Sequence, residues 1–405
     1  MKKMTSIVAI MAVFTLAVCF VMIGAASVEL EAKLGLTKGQ IGMMVLLFSL
    51  TCIVAQLAAG PLVDRIGHKP LAVTGFLVAG ASIFLLAFAG NYVLAVLAAI
   101  LLGIGAICCN TVGNTLLPVV LFDGKEPARA SNFGNAFVGL GFALPPLLIG
   151  VLQTDVGMSY EATLSLIAVF VLAFTVFAVL SSYPQVSTGF EMSRAIALLR
   201  SPVVLMAALA LVCYIGLEFA MNTWIRLLMV ELYEKAGSDE AGIARNAGLV
   251  LTAFALAMAI GRFGTSAIKN LTAIGTVVIA AMAALAFVTI GVMCVAGSPT
   301  VAIGAVFITG LAFAPMFPTI VGVTFSKFEP SLYGSVFGTI FAIGLLGPAF
   351  LPYVIGKASE AGSIQKAMPV AAVVAAVLCV VGLLMGVVFA REKASVRSQC
   401  CDQAV

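Results

Sequence analysis

Gly60-Pro-Leu-Val-Asp64-Arg65-Ile-Gly67-His68-Lys69-Pro70 puts a compact charged turn directly after a hydrophobic run that begins near Ile41. Basic residues collect in the short loops on the cytoplasmic side of membrane proteins, so the stretch reads as a chain pinned at an inner membrane surface. Gly60 removes a side chain where two helices must pass closely. Asp64 is expected to accept the free N–H groups, and to meet the positive dipole, at the start of the next helix. Arg65 is expected to bridge to a neighbouring helix end. Together with Gly67 and Lys69 these residues form either a latch on the cytoplasmic side or a topological anchor only.

Composition points to the same solvent. Of 405 residues 62% are hydrophobic and 9% charged, against roughly a quarter charged in soluble domains, too few to hold the chain in water. A helix needs about 20 apolar residues to cross a hydrocarbon core of roughly 30 Å. Windows of that size fall near 5–28, 41–63, 71–89, 92–121, 132–152, 162–182, 202–230, 247–264, 271–295, 300–325, 335–355 and 367–390. A β-barrel would read as alternating segments of about ten residues, and nothing in the sequence alternates. Only backbones satisfied internally survive in lipid, so the expected class is an all-α membrane protein with twelve transmembrane helices. The apolar stretch behind Lys2 and Lys3 exceeds the roughly 7 to 15 residues of a signal-peptide core and is read as the first span.

Charge sets the topology. With the N-terminus inside, the cytoplasmic segments hold Lys2, Lys3, Arg65, Lys69, Lys125, Arg129, Arg194, Arg200, Arg262, Lys269, Lys327, Arg391, Lys393 and Arg397 of the 21 Lys and Arg, the positive-inside bias. Both termini are then cytoplasmic. The net charge of +4 reports insertion and contact with anionic membrane lipid and is no evidence for nucleic acid. The expected division is an N-terminal six-helix bundle over 1–182, a cytoplasmic linker over 183–201, a C-terminal six-helix bundle over 202–391 and a cytoplasmic tail over 392–405. Glu191 to Arg200 reads as a short amphipathic helix on the membrane. Cysteines in the spans behave as small apolar residues, none has metal-ligand spacing with His68, and Cys400 and Cys401 sit in the tail without an assigned role.

Polarity is uneven along the chain. The third, sixth, ninth and twelfth spans carry little beyond an occasional Ser or Thr, whereas the fourth has Asn110, Thr111 and Asn114 and the seventh has Glu218, Asn222 and Arg226. A period of three in both halves is what nested three-plus-three inverted repeats produce. The stretch from Gly60 to Lys69 resembles the motif that the major facilitator superfamily carries between its second and third helices. Tyr214 to Glu218 with Asn222-Thr-Trp224, Gly310 to Thr319, Gly334 to Gly338 with Gly344 to Pro348 and Pro352, and Asn135 to Gly141 with Pro145 are similar to the seventh, tenth, eleventh and fifth helices of its fucose-proton-symporter-like sugar transporters. The resemblance implies the major facilitator fold, two six-helix bundles with inverted repeats about a central cavity lined by the first helix of each triplet. His68 replaces the base more usual in the motif, which ties part of the latch to pH. The turn from Gly261-Arg262-Phe263 to Lys269 is a copy without an acid. Thr15 and Gly24 in the first helix, and Asn110 and Asn114 in the fourth, stand where symporters of this branch are expected to carry acids.

Glu218 is the sharpest single residue. A charge near mid-membrane costs at least about 2.5 kcal/mol, so it must be neutralised, paired or hydrated. One reading is ion coupling, with protonation linked to solute binding; the other is a permanent ion pair with Arg226. Asn222 and Arg226 follow at i+4 and i+8 on one helix face, Arg226 about 12 Å further out by helix rise. Trp224 is either a sugar-stacking ring or an interfacial anchor. Asn110 and Asn114, one turn apart, offer amide donors and acceptors to a hydroxyl-rich solute or to neighbouring helices. Pro315 and Pro318 break the tenth helix beside Thr319 and free carbonyls that a cavity or a neighbouring helix must satisfy. Gly334 and Gly338 form a close-packing pair in the eleventh. The expected substrate-binding set is Asn110, Asn114, Glu218, Asn222, Trp224 and Thr319.

These readings make the chain a secondary active transporter that moves a small polar solute, sugar-like or otherwise hydroxylated, by alternating access. The expected partner ion is a proton or sodium taken by symport, and the expected form is a monomer in the cytoplasmic (inner) membrane, with no cofactor and no metal. The alternatives are export of amphipathic compounds and transport of organic anions. A membrane enzyme would need a nucleophile with a base, paired aspartates or a His-Glu metal site, and one loop His with one buried acid supplies none of these.

Overall fold

The structure is a computed structural model that describes residues 2–36, 38–184, 198–237, 240–359 and 362–402. Most of the expected linker, with the amphipathic helix placed from Glu191, lies outside the described residues. Among those described, twelve helices are long and apolar enough to cross a membrane: Lys3–Ala25, Met43–Ile66, His68–Ala87, Tyr92–Val120, Pro127–Gln153, Tyr160–Leu180, Pro202–Lys235, Asn246–Ser266, Leu271–Val295, Pro299–Phe325, Pro330–Ser359 and Ile364–Ala390. They are called here the first to twelfth spans. Each overlaps one of the apolar windows, because in lipid an apolar run of this length has the helix as its only way to satisfy its own backbone.

Boundaries differ where polar residues continue a helix. The helix of the second span runs through Pro61 to Ile66, and the third span begins at His68. The charged turn expected over Gly60 to Pro70 is therefore a single residue, Gly67, whose φ of 86° lies in the left-handed region that only glycine enters freely. The last helix, Pro369–Asp402, continues through most of the expected tail. The tenth span is broken into Pro299–Phe313 and Met316–Phe325 at the site of Pro315 and Pro318, as their missing N–H groups require.

The chain divides into two compact units. One comprises Met1–Lys125, Gly134–Ala195 and Pro330–Gly338, the other Glu126–Phe133, Ile196–Glu329 and Thr339–Val405. Two short segments, Pro330–Gly338 and Glu126–Phe133, cluster with the half of the chain opposite to their own. In the first unit the fourth span packs against the first, second and third, and the third against the sixth. In the second the tenth span packs against the seventh, eighth and ninth, and the ninth against the twelfth. Each pairing recurs six spans later, the pattern that repeated halves produce.

Candidate functional site

The start of the eleventh span belongs to the first unit because Asp64 holds it there. Asp64 is buried, at 7% exposure. Its Oδ1 accepts from the Gly334 N–H at 2.9 Å, and its Oδ2 from the Ser335 N–H and the Ser335 hydroxyl, both at 2.6 Å. Those N–H groups lie in the first turn after Tyr333, where a helix has no internal acceptors for them, and the positive end of the dipole adds to the attraction. The partner expected at the start of the third span is thus replaced by one at the start of the eleventh; Gly67, which precedes the third, receives no side-chain cap. Gly60 permits the approach, since a Cβ there would meet the Gly334 carbonyl oxygen and come within 2.9 Å of Gly338 Cα. Arg65 and Lys69 are exposed beside this clasp.

Asn110 and Asn114 lie at 0% exposure, linked to each other and to neighbouring helices. Asn135 on the fifth span donates to Asn114 Oδ1 at 3.0 Å, Asn114 Nδ2 to Asn110 Oδ1 at 2.9 Å, Asn110 Nδ2 to Gln56 Oε1 at 3.2 Å, and Gln56 Nε2 to Thr111 Oγ1 at 3.3 Å. Thr115 donates to the Thr111 carbonyl and lies 3.1 Å from His68 Nε2. Of the two readings of these amides, this arrangement is interhelical hydrogen bonding. A buried amide must find partners, and Gln56 and Asn135 supply them.

In the second unit Glu218 pairs with Arg262 of the eighth span, not with Arg226. Arg262 Nη2 lies 3.4 Å from Glu218 Oε1, with side-chain exposures of 4% and 17%, and 3.4 Å from the Tyr214 hydroxyl. Arg262 Nε donates to the Ala314 carbonyl at 3.3 Å. In a regular helix the N–H of residue 318 would satisfy that carbonyl, and Pro318 has none. The guanidinium therefore joins the seventh and eighth spans to the break in the tenth. Phe313 and Phe317 pack on Tyr214, with ring centroids 5.8 and 6.3 Å away. Asn222, which donates to the Glu218 carbonyl, is exposed together with Arg226 on the same helix face.

The other expected binding residues sit against helices. The Trp224 indole N–H donates to the Pro352 carbonyl at 3.1 Å, and its ring packs near Gly356. Thr319, fully buried, accepts from Asn132 Nδ2 at 2.9 Å. That contact, with Ala128 packed on Gly322, groups the start of the fifth span with the second unit. Arg262 is absent from the expected binding set because the charge count assigns it to the cytoplasmic side. The signal was present, since an arginine inside an apolar window is by default a functional candidate, and Gln56 carried a weaker form of it.

The sequence model of the Major Facilitator Superfamily matches residues 8–352. The chain belongs to that superfamily. It is an integral, multi-pass membrane transporter and not an enzyme. Similar solved structures include the fucose:proton symporter FucP of Escherichia coli in the outward conformation, with a TM-score of 0.75 at 20% identity over 94% of this chain and 98% of that one. The human organic anion transporter TETRAN follows at 0.67 and 14%, over 96% and 99%. At these identities the likeness concerns the fold. A probable L-galactonate transporter of Escherichia coli K12 is 30% identical over 132 residues, 33% of this facilitator and 29% of that relative's length.

Proposed function

We propose that this facilitator is a secondary active transporter that moves a small hydroxylated organic solute by alternating access, in symport with a proton or, failing that, sodium. The observation that carries the reading is Glu218, a carboxylate at the middle of the 34-residue helix Pro202–Lys235, partly open on the side of Asn222 and closed by Arg262 and Tyr214 behind. Such a group is costly in a membrane interior and is kept there for a task. Glu218 and Asn222 meet the solute; Asn110, Asn114, Trp224 and Thr319 hold the helices around it. The Asp64 clasp stabilises one conformation and must part in the other. The distribution of Lys and Arg supports cytoplasmic termini and a cytoplasmic (inner) membrane, and the protein is proposed to work as a monomer. That FucP is a fucose:proton symporter and the other relative a probable L-galactonate transporter supports a hydroxylated solute. Purified protein in liposomes, offered sugars and sugar acids under an inward proton or sodium gradient, should show saturable, gradient-driven uptake and counterflow. Conductance without saturation would refute the carrier reading.

A further inference from the structure

In the pair at the middle of the seventh span, the more deeply buried member is the cation. The Arg262 side chain is 4% exposed and that of Glu218 17%, and the guanidinium is tied behind by the Ala314 carbonyl and the Tyr214 hydroxyl. Arginine does not lose its proton in proteins, and a buried charge stripped of its counter-ion is strongly destabilising. The site therefore needs one negative charge beside Arg262 at every stage of a transport cycle. Glu218 provides it across 3.4 Å, longer than the roughly 2.7–2.9 Å of a tight charge-assisted bond. Asn222 and Arg226 lie exposed one and two turns beyond Glu218. Arg226 has no hydrogen bond or ion pair among the described residues. With Glu218 and Arg262 cancelling, Arg226 leaves the exposed helix face beside Glu218 positive.

Building on the coupled-transport reading above, we infer that the solute is a hydroxylated monocarboxylate whose carboxylate takes the place of Glu218 beside Arg262 while a Glu218 oxygen takes up the coupling proton. Charge balances at both stages. In the empty site Arg262 and the Glu218 carboxylate sum to zero; in the loaded site Arg262 and the solute anion sum to zero and Glu218 is neutral. One proton enters with each anion. The charged and titratable groups near Glu218 are Tyr214 and Arg226 on its own span and Arg262 on the eighth. The tenth span has none, while the eleventh carries Tyr333, Tyr353 and Lys357 and the twelfth Lys366 and Cys379.

The test is a thermal-shift titration of the purified protein with L-galactonate and D-gluconate, beside neutral L-fucose and D-galactose, at mildly acidic and mildly alkaline pH. Wild type should bind the acids, more tightly at acidic pH. Glu218→Gln, which imitates the protonated carboxyl, should be less stable when empty, regain stability with the acids, and bind them equally at both pH values. Glu218→Gln combined with Arg262→Gln leaves no stranded ion and should fold. It should bind the acids roughly 10- to 100-fold more weakly than Glu218→Gln alone, the loss of a charge-assisted hydrogen bond. Equal acid binding by the single and double variants would overturn the inference. Binding of the neutral sugars without the acids would overturn the carboxylate but leave coupled transport standing, whereas failure to bind or carry either class would bring down that reading as well.

Discussion

Asp64→Asn keeps the side chain's shape while removing its charge and turning an amide donor toward the N–H groups of Gly334 and Ser335. Hydrogen bonds to a charged group contribute about 1.5–3 kcal/mol each, and every 1.4 kcal/mol shifts an equilibrium about tenfold. The clasp touches the eleventh helix and not Glu218, so solute affinity should stay within about twofold while uptake falls at least about tenfold through the shifted conformational balance. Thermal-shift binding and liposome uptake on one preparation check this, and unimpaired uptake or abolished binding would remove the latch role. Ser335→Ala removes one of the three bonds to Asp64 and should give a smaller loss in the same direction. At Glu218 the identity of the partner changes what a neutral substitution means. Arg262 is buried where Arg226 is exposed, so Glu218→Gln strands a desolvated charge and should lower Tm in the absence of solute, by something like the 3–5 kcal/mol of a broken buried pair, with Arg262→Gln restoring it. Arg226→Gln should leave Tm unchanged; a fall as large as that of Glu218→Gln would show that the pairing is wrong.

Among the helices, the tenth span shows how a sequence break becomes a junction. Pro318→Ala returns the missing N–H to the Ala314 carbonyl and makes it compete with Arg262 Nε, so the guanidinium loses its fixed position. Tm should hold or rise, since an interior proline costs a helix about 3 kcal/mol, while uptake should fall several-fold; unchanged uptake would separate the break from the function. The break itself was legible, because two prolines three residues apart leave few alternatives. Its partner was not, since Arg262 and Ala314 are 52 residues apart and helix periodicity carries no information on which helices touch. The same limit applies to Asp64, whose acceptor role was readable at a helix end but whose donors lie 270 and 271 residues further on. Asn110 and Asn114 stood out as amides in an apolar span. Whether they meet a solute or each other depends on Gln56 and Asn135, which only the packing of the second and fifth spans against the fourth brings near.

For the molecule as a whole, hydropathy alone located all twelve spans, because a fixed membrane thickness sets their length, and the three-span period of polarity anticipated the recurrence of helix pairings in the two units. Orientation rests on charge, and Arg262 must be withdrawn from that count because it is buried in a span. The Lys and Arg that remain support the proposed orientation, with the segment around Lys125 cytoplasmic and the end of the seventh span outside. In a cysteine-free background, Lys235→Cys should react with an impermeant maleimide on intact cells and Lys125→Cys only after permeabilisation; the reverse would invert the topology. The central claim is that Glu218 links a proton to solute movement. The direct measurement uses liposomes carrying wild type or Glu218→Gln and the sugar or sugar acid that binds best, comparing counterflow with accumulation under an inward proton gradient. The account predicts that wild type does both and that Glu218→Gln exchanges the solute without concentrating it. Accumulation by Glu218→Gln equal to wild type would contradict the account.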